Sequence, residues 1–164
     1  MKLITNTLFV MGLVCLLVSC SPEEIDDTTS SANFESELSI ENNNAMSSEI
    51  LTIINDYRAT LDLPPFSTHH LAKEEALDHT AYMIINNRVS HDNFFERSDY
   101  LKDNGASVVS ENVAFGYRTA QAVVDGWLNS PSHKEAIEGN FTHSGISVAQ
   151  TENGINFFTH IFVK

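Results

Sequence analysis

The stretch Ser110-Glu111-Asn112-Val113-Ala114-Phe115-Gly116 places one carboxylate inside an otherwise apolar, strand-like run. Burying an unpaired carboxylate costs several kcal/mol, so Glu111 is either exposed or met by a cation, a metal ion or hydrogen-bond donors. The imidazoles of His91 and His133 are suitable partners. We therefore expect a fold that brings these two rings to the Glu111 carboxylate in one water-accessible cleft.

Helical patterns dominate the sequence before this stretch. Apolar residues recur at helical spacing over 46–61 and again over 71–84, and a short helix is predicted over 95–102, ending at Gly105. His91 follows the second helix and is expected on a connection between helices. The first part of the domain therefore supplies helices that can cover a sheet.

The sequence after residue 107 predicts strands and two further helical turns. Residues 108–115 form a strand covered on both faces, because they alternate too little for a half-exposed strand. A helix capped by Thr119 follows. Ser130-Pro131 then begins a new turn, with serine at the N-cap and proline at N1, which places His133 in the first turn of a helix.

Two more strands complete the pattern. Ile146 and Val148 indicate one strand, Asn153-Gly154 is typical of a type I′ hairpin turn, and residues 155–163 return as the last strand. Helices before and between these strands can cover both faces of the sheet. The predicted fold class is α/β, a three-layer α–β–α sandwich with a small, mainly antiparallel central sheet.

Length and charge limit the functions that are compatible with the sequence. The chain has 164 residues, enough for one domain of ordinary size, and carries a formal net charge of −13. No basic patch is visible that could neutralise phosphates, which argues against nucleic acid as a partner. The acidity favours solubility in an exposed compartment.

The N-terminal residues predict export and membrane attachment. Lys2 precedes an apolar run over 9–17, which is too short for a comfortable membrane span and matches a secretory h-region. Leu17-Val18-Ser19-Cys20 resembles a bacterial lipobox, so residues 1–19 are expected to be a lipoprotein signal peptide and Cys20 the lipidated residue. An ordinary signal peptide and an uncleaved anchor are the alternatives. Removal of Cys15 with the signal would leave no cysteine pair for a disulfide.

Residues 20–45 are predicted to be a flexible acidic tether, followed by a domain over 46–164. The tether is rich in Ser, Glu, Asp, Asn and Thr and has too few large apolar residues to order itself. Its acidic cluster over 22–27 resembles surface-export signals of bacterial lipoproteins. The expected location is therefore the cell envelope, anchored by lipid to a bacterial membrane, with the outer membrane and the cell surface as candidates.

From about Glu49 to Lys164 the chain resembles the CAP superfamily, the SCP domains of cysteine-rich secretory, antigen 5 and pathogenesis-related proteins. Within this superfamily the sequence resembles the bacterial branch that has no disulfides. Five ordered motifs carry the resemblance: His91-Asp92-Asn93-Phe94, Glu111-Asn112-Val113-Ala114, Trp127-Leu128-Asn129-Ser130-Pro131-Ser132-His133, Asn140-Phe141-Thr142-His143-Ser144-Gly145-Ile146 and Phe158-Thr159-His160-Ile161-Phe162. The resemblance implies an α–β–α sandwich with a central cleft.

The resemblance also implies which residues line that cleft. The family cleft typically carries two histidines and two acids; His91, Glu111 and His133 match three of them. The second acid is missing, since residues 129–131 are Asn-Ser-Pro. His160 stands where bacterial relatives often have glutamine, and it either lines the cleft as a fourth ligand or packs in the core beside Phe158 and Phe162.

Two interpretations of the three matching residues remain open. Two neutral imidazoles and one carboxylate can form an open tetrahedral site for zinc or another divalent cation, with water as the last ligand. Family members hold divalent cations in this cleft, which the resemblance carries over as an expectation for His91, Glu111 and His133. In the alternative, the three residues form a hydrogen-bonded network that fixes the cleft walls. The remaining histidines are expected to be solvated or semi-buried without a site role: His69, His70, His79 and His143.

The sequence lacks the usual signatures of enzymes. It contains no Gly-x-Ser-x-Gly elbow, His-Glu-x-x-His helix, P-loop or dinucleotide fingerprint. We expect a non-enzymatic module that binds a lipid, glycan or protein ligand and is attached to the membrane through Cys20. The alternative is a metal-dependent hydrolase acting on peptide or cell-envelope substrates, with Glu111 as general base. An adhesive or structural role at the surface needs no cleft chemistry.

Overall fold

A computed structural model describes residues 40–164 of the chain. The predicted signal peptide, Cys20 and most of the predicted tether lie outside these residues. Five helices are present in the described part: α1 (Asn44–Ala59), α2 (His70–Ile85), α3 (Phe94–Asp103), α4 (Ala120–Leu128) and α5 (Pro131–Glu138). The strands there are β1 (Ser67–Thr68), β2 (Val109–Phe115), β3 (His143–Gln150) and β4 (Asn156–Val163). None of these helices is both long and apolar enough to cross a membrane.

The four strands form one mixed sheet in the order β1-β3-β4-β2. β4 pairs antiparallel with both β3 and β2, whereas the two-residue β1 runs parallel to β3. The predicted α–β–α sandwich is confirmed. The sheet is mixed because the chain between α1 and α2 passes alongside β3 in the direction of β3.

Alternating residues of β4 divide the core into two layers. Phe158 and Phe162 pack with residues of α1, α4 and α5, including Ile54, Val123 and Ile137. Ile161 and Val163 face the other way and pack against Ala72 and Ala76 of α2 and Leu101 of α3. Since successive side chains of a strand point to opposite faces, the parity of a residue in the sheet decides which helical layer it meets.

Helix α2 lies directly on the sheet because Gly145 of β3 has no side chain. A Cβ atom at this position would lie 2.2 Å from the backbone of Ala72 and Lys73. The close approach brings the whole face of α2, including Thr80 and His79, down onto the sheet. Thr80 is buried there and its hydroxyl hydrogen-bonds the Thr159 hydroxyl of β4 at 2.9 Å.

The described domain starts earlier than the predicted boundary at residue 46. Asn43 is the N-cap of α1, and its side chain accepts a hydrogen bond from the Met46 amide. The side chain of Asn42 also accepts a hydrogen bond from the Val148 amide at 2.8 Å. Residues 42–45 of the predicted tether thus belong to the packed domain, because their asparagines satisfy backbone groups of α1 and β3.

The predicted two-residue type I′ turn at Asn153-Gly154 is wrong. The loop between β3 and β4 covers residues 151–155, since Gln150 is paired with Asn156. Gly154 has a positive φ of 75°, but Asn153 does not, and a type I′ turn requires both. Thr151 closes the wider loop, because its amide donates to the Ile155 carbonyl at 2.9 Å and its hydroxyl accepts from the Ile155 amide at 3.1 Å.

Candidate functional site

The Glu111 carboxylate is buried and paired with a guanidinium. Its side chain is 1% exposed, and Arg97 of α3 donates from Nε to Oε2 at 3.0 Å and from Nη2 to Oε2 at 2.8 Å. His91 donates from Nδ1 to Oε1 at 2.9 Å. The structure therefore brings His91 to Glu111 as predicted, and it adds Arg97, a two-pronged partner that the sequence analysis did not identify.

The loop that carries His91 is fixed by hydrogen bonds to the backbone and side chain of Asp92. The loop ends at Asn93, whose left-handed backbone (φ 59°) starts α3, and Nη1 of Arg97 donates to the Asp92 carbonyl at 2.7 Å. The Asp92 side chain in turn accepts hydrogen bonds from Arg88 and from the Tyr82 hydroxyl. The Tyr82 hydrogen bond, followed by the Arg88 charge, lowers the pKa of Asp92. Arg97 thus fixes both the carboxylate and the loop that carries His91.

His79 of α2 lies beneath this cluster. Its Nε2 is 2.7 Å from the Ser90 carbonyl and 3.9 Å from Oε1 of Glu111, and the ring is buried. Burial lowers the pKa of His79, which keeps the imidazole neutral beside the ion pair. The sequence predicted a semi-buried His79 without a site role. The Nε2 atom is held by the Ser90 carbonyl, but the prediction missed how close the ring lies to Glu111.

His133 lies in the first turn of α5, on a different wall of the site from Glu111. Its carbonyl accepts a hydrogen bond from Asn112 Nδ2 at 2.9 Å. Asn112 and Glu111 are neighbours on β2, so their side chains point to opposite faces of the sheet. Burial, followed by the charge of His91, lowers the pKa of His133. Within residues 40–164 the His133 ring makes no hydrogen bond to Glu111 or to His91, so the structure does not bring this second ring to the carboxylate as predicted.

The half-buried ring of His133 lines an open groove of about 360 Å³ with Val89, Val113, Phe115, Tyr117 and Trp127. The indole Nε1 of Trp127 donates to the Val113 carbonyl at 3.3 Å, which fixes the floor against β2. Tyr117 lies over Gly126, where a Cβ atom would come within 2.3 Å of the phenol oxygen. The groove is thus mainly aromatic and apolar, with the imidazole as a polar group.

His160 belongs to the core, so of the two placements left open by the sequence the structure has core packing and not the cleft. The residue is 0% exposed, and its ring centroid lies 3.9 Å from that of Phe162 and 5.8 Å from that of Trp127. Within residues 40–164 neither ring nitrogen has a hydrogen-bond partner. Burial alone lowers the pKa of His160 to about 3. The ring faces the α1, α4 and α5 layer with Phe158 and Phe162, the side of the sheet away from Glu111.

The arrangement of β2, the His91 loop and α5 around one sheet edge can be compared with known families. The model of the cysteine-rich secretory protein family, CAP, matches residues 51–163. The chain belongs to the CAP family. Its resemblance to SCP domains is thereby confirmed, and the CAP domain accounts for nearly all of the described residues.

Two curated relatives of the chain come from Bacillus subtilis. An uncharacterized membrane protein, YlbC of Bacillus subtilis, is 29% identical over 121 residues, which cover 71% of this chain and 34% of that protein. The uncharacterized protein YkwD of Bacillus subtilis is 27% identical over 112 residues, covering 65% of this chain and 44% of that protein. The chain therefore spans less than half the length of the curated relatives it matches.

Solved structures support the same fold. An outer surface protein from Borrelia burgdorferi has a TM-score of 0.70 and 24% identity, covering 77% of this chain and 97% of its own. An extracellular SCP-domain protein from Bacillus anthracis has a TM-score of 0.64 and 26% identity, covering 74% of this chain and 41% of its own. These similarities show the α–β–α sandwich fold. The chemistry of the cleft depends on the residues of this chain.

The donor set around Glu111 does not fit a divalent cation in this arrangement. Within residues 40–164 no group of three or more His, Cys, Asp or Glu side chains is placed to hold a metal ion. Both oxygens of Glu111 face the guanidinium of Arg97, and a metal ion would compete with it for the same lone pairs. In the described part of the chain the observed network joins Glu111 to Arg97 and His91, and the His133 ring, the third member of the predicted network, makes no hydrogen bond to it.

We predict that Arg97→Gln lowers the free energy of unfolding by about 3–5 kcal/mol, because it leaves the Glu111 carboxylate buried without its cation. Urea denaturation of the full chain measures the loss. Arg88→Gln is the control, since Arg88 pairs with Asp92 at the surface and should cost less than about 1 kcal/mol. Replacing Arg97 and Glu111 together by Met and Leu should restore most of the loss. Equal losses for Arg97→Gln and Arg88→Gln, or stabilisation of the wild type by zinc, would contradict this account.

We also predict that His160 makes the domain less stable in acid. Its pKa is about 3 in the folded chain and 6.5 in the unfolded chain, so the unfolded state binds the extra proton between these values. Stability is fully present above pH 6.5 and falls as the pH drops toward 3, by up to about 1.4 kcal/mol per pH unit from this group. Urea midpoints at several pH values measure the slope. His160→Leu should flatten it, whereas His70→Leu, which changes a solvent-exposed ring, should not; equal slopes for both variants would refute the assignment.

Proposed function

We propose that this chain is an extracytoplasmic, lipid-anchored protein whose CAP domain is a non-enzymatic module that binds a ligand or partner in its cleft. The observation that carries the proposal is that the hydrogen bonds of the Glu111 carboxylate are already taken up by Arg97 and His91. A carboxylate that is 1% exposed and held by Arg97 and His91 is not free to act as a general base. The cleft is therefore built to hold its shape rather than to transfer protons.

The exposed part of the network has the properties of a binding site. The His91 side chain is 51% exposed and its Nδ1–H is committed to Glu111, so Nε2 is the ring nitrogen left for a ligand. The nearby groove adds the aromatic faces of Phe115 and Tyr117. Pockets that combine an apolar wall with a few fixed polar groups bind ligands with both kinds of surface. A lipid, a glycan or a peptide of an envelope protein can meet these requirements.

The metal-dependent hydrolase remains the alternative proposal. It would require Arg97 to release Glu111 so that a metal ion or a water molecule could reach the carboxylate. No observation among residues 40–164 favours that rearrangement over the paired state, and the second acid of the family cleft is absent from residues 129–131. The binding module requires no such change.

We test the binding module with three probes: vesicles of phosphatidylethanolamine and phosphatidylglycerol, soluble peptidoglycan fragments, and an envelope-protein extract. The full chain with Cys20→Ser is used, so that no acyl chain contributes. We predict that at least one probe is retained and that His91→Ala with His133→Ala weakens retention about tenfold, a loss of about 1.4 kcal/mol. His70→Ala, an exposed histidine outside the cleft, is the matched control, and EDTA should have no effect. Unchanged retention by the cleft variant would contradict binding in the cleft, and loss of binding in EDTA would favour the metal site.

The membrane anchor is a separate part of the proposal. It is supported by Leu17-Val18-Ser19-Cys20 in the sequence and by the names of similar proteins, one a membrane protein and one an outer surface protein. We predict that radiolabelled palmitate is incorporated into the chain in bacterial cells and that Cys20→Ser abolishes it, because the thiol is the acylated group. Cys15→Ser is the control and should keep the label. Label retained by Cys20→Ser would exclude the anchor.

A further inference from the structure

β2 is an edge strand of the sheet, because the strand order is β1-β3-β4-β2. At one end of β2 the Lys164 amide donates to the Val108 carbonyl at 3.1 Å. At the other end the Gly116 amide donates to the Asn156 carbonyl at 2.8 Å. Residues bonded to the partner strand alternate with residues that are not in an antiparallel pair. The even-numbered residues from 108 to 116 are therefore bonded to β4, and the odd-numbered residues direct their N–H and C=O groups away from it.

The backbone groups on this outer side of β2 are largely unpaired. Among residues 40–164, no group accepts from the amides of Glu111, Val113 and Phe115, and none donates to the carbonyls of Glu111 and Phe115. The Val113 carbonyl accepts one hydrogen bond, from the Trp127 indole. A row of unpaired N–H and C=O groups at the edge of a sheet is a template for pairing with another strand.

The main chain of Glu111 reaches the surface although its side chain does not. The whole residue is 8% exposed, whereas its side chain is 1% exposed, so the exposed area lies mainly on backbone atoms. Further along β2, the groove of about 360 Å³ is lined by Val113 and Phe115 from one face of the strand and by Ala114 from the other. The groove therefore lies across the edge of β2, and the unpaired backbone borders it.

The opposite edge of the sheet is covered by the domain itself. The Asn43 amide donates to the Val148 carbonyl at 2.7 Å, and the Asn42 side chain accepts from the Val148 amide. The His69 amide donates to the Ser144 carbonyl at 2.9 Å. Backbone and side-chain groups of the described residues thus cover the edge at β3, and they leave the edge at β2 open.

We propose that the free edge of β2 binds an extended peptide segment of a partner protein, which joins the sheet as an additional strand between the walls that carry His91 and His133. An extended peptide presents an N–H and a C=O group on the same side at every second residue, about 6.8 Å apart, which is the spacing of the unpaired groups on β2. Lipids and glycans lack this repeat. The inference rests on the binding function proposed above and names the class of its ligand.

The side chains of such a strand alternate between two different surroundings. Those on one side point toward His91, whose Nε2 is left for a ligand. Those on the other side point toward His133 and Trp127, which line the aromatic groove. A peptide in which polar and apolar residues alternate suits both walls.

An NMR titration tests the proposal with the peptide acetyl-Lys-Val-Thr-Val-Lys-amide. The protein is the full chain with Cys20→Ser in nonionic detergent micelles. We expect saturable binding and slower hydrogen exchange at the amides of Glu111, Val113 and Phe115. The even-numbered amides from 110 to 114 are already bonded to β4, so their exchange rates should stay unchanged. Absence of saturable binding, or slower exchange that does not follow this alternation, would overturn the proposal.

Two N-methylated forms of the peptide are the matched controls. One carries N-methyl groups on the threonine and the last lysine, and the other carries them on both valines. Only alternate amides of a strand face its neighbour, so one form should bind about tenfold more weakly, and the other should lose less than about twofold. Both forms keep the two lysines, so attraction to the net charge of −13 is the same for each. Equal weakening by the two forms would refute strand addition.

A pair of variants tests the same edge from the protein. Phe115→Ala and Phe115→Pro both remove the exposed aromatic ring, but only proline removes the outward N–H group, and proline is tolerated at such a position of an edge strand. We expect Phe115→Pro to bind the peptide about fivefold more weakly than Phe115→Ala, because one hydrogen bond is lost. Equal affinities of the two variants would contradict pairing at this position.

Failure of this proposal can be told apart from failure of the binding module. Retention of vesicles or peptidoglycan fragments that depends on His91 and His133, without binding of the peptide, would overturn strand addition and leave the binding module intact. Sedimentation of the chain without peptide detects dimers. A dimer in which the amides of Glu111 and Val113 are already protected would assign the edge to a second copy of the chain and overturn the proposal.

Discussion

The burial of one carboxylate constrains the whole domain. Glu111 lies on β2 under α2 and α3, where an unpaired charge would cost several kcal/mol. Arg97 offsets this cost with hydrogen bonds to both carboxylate oxygens, and it can do so only if α3 is fixed against β2. The start of α3 is fixed by the left-handed Asn93 and by the hydrogen bond from Arg97 to the Asp92 carbonyl. The ion pair therefore also positions the loop that presents His91.

The sheet distributes the site over its two faces. Glu111 meets α3 and the His91 loop on one face, while Asn112, the next residue, binds the His133 carbonyl on the other. A shift of β2 by one residue would exchange these two faces and bury the amide where the carboxylate belongs. Pairing of β2 with β4 along its full length holds the register, with Glu111 opposite Ile161 and Asn112 opposite His160. The core and the cleft thus depend on the same strand alignment.

Much of the fold could be predicted from local patterns, because each helix signal acts within a few residues. The Thr119 side chain accepts from the Ala122 amide, and Pro131 opens α5 as expected. The need for a partner beside Glu111 was also evident from the sequence. Arg97 as that partner was not, although it is four residues before the core residue Leu101 and so on the same helix face. The position of His160 was ambiguous in the sequence. The alternation of side chains along a strand predicts that His160 shares a face of the sheet with Phe158 and Phe162, but only the packing of the helices on the sheet decides whether that face lies in the core or lines the cleft.

The charge balance of the cluster explains why it can lack the second acid of the family cleft. Arg97 contributes one positive charge and Glu111 one negative charge, while burial favours the neutral form of His79. A further carboxylate near His133 would have no cation of its own in this balance, since the guanidinium of Arg97 is already divided between Glu111 and a carbonyl. Asparagine and serine stand at 129 and 130, so these positions add no charge before His133. The hydrogen-bonded network beside an aromatic groove supports the proposed recognition of a ligand by shape and hydrogen bonds.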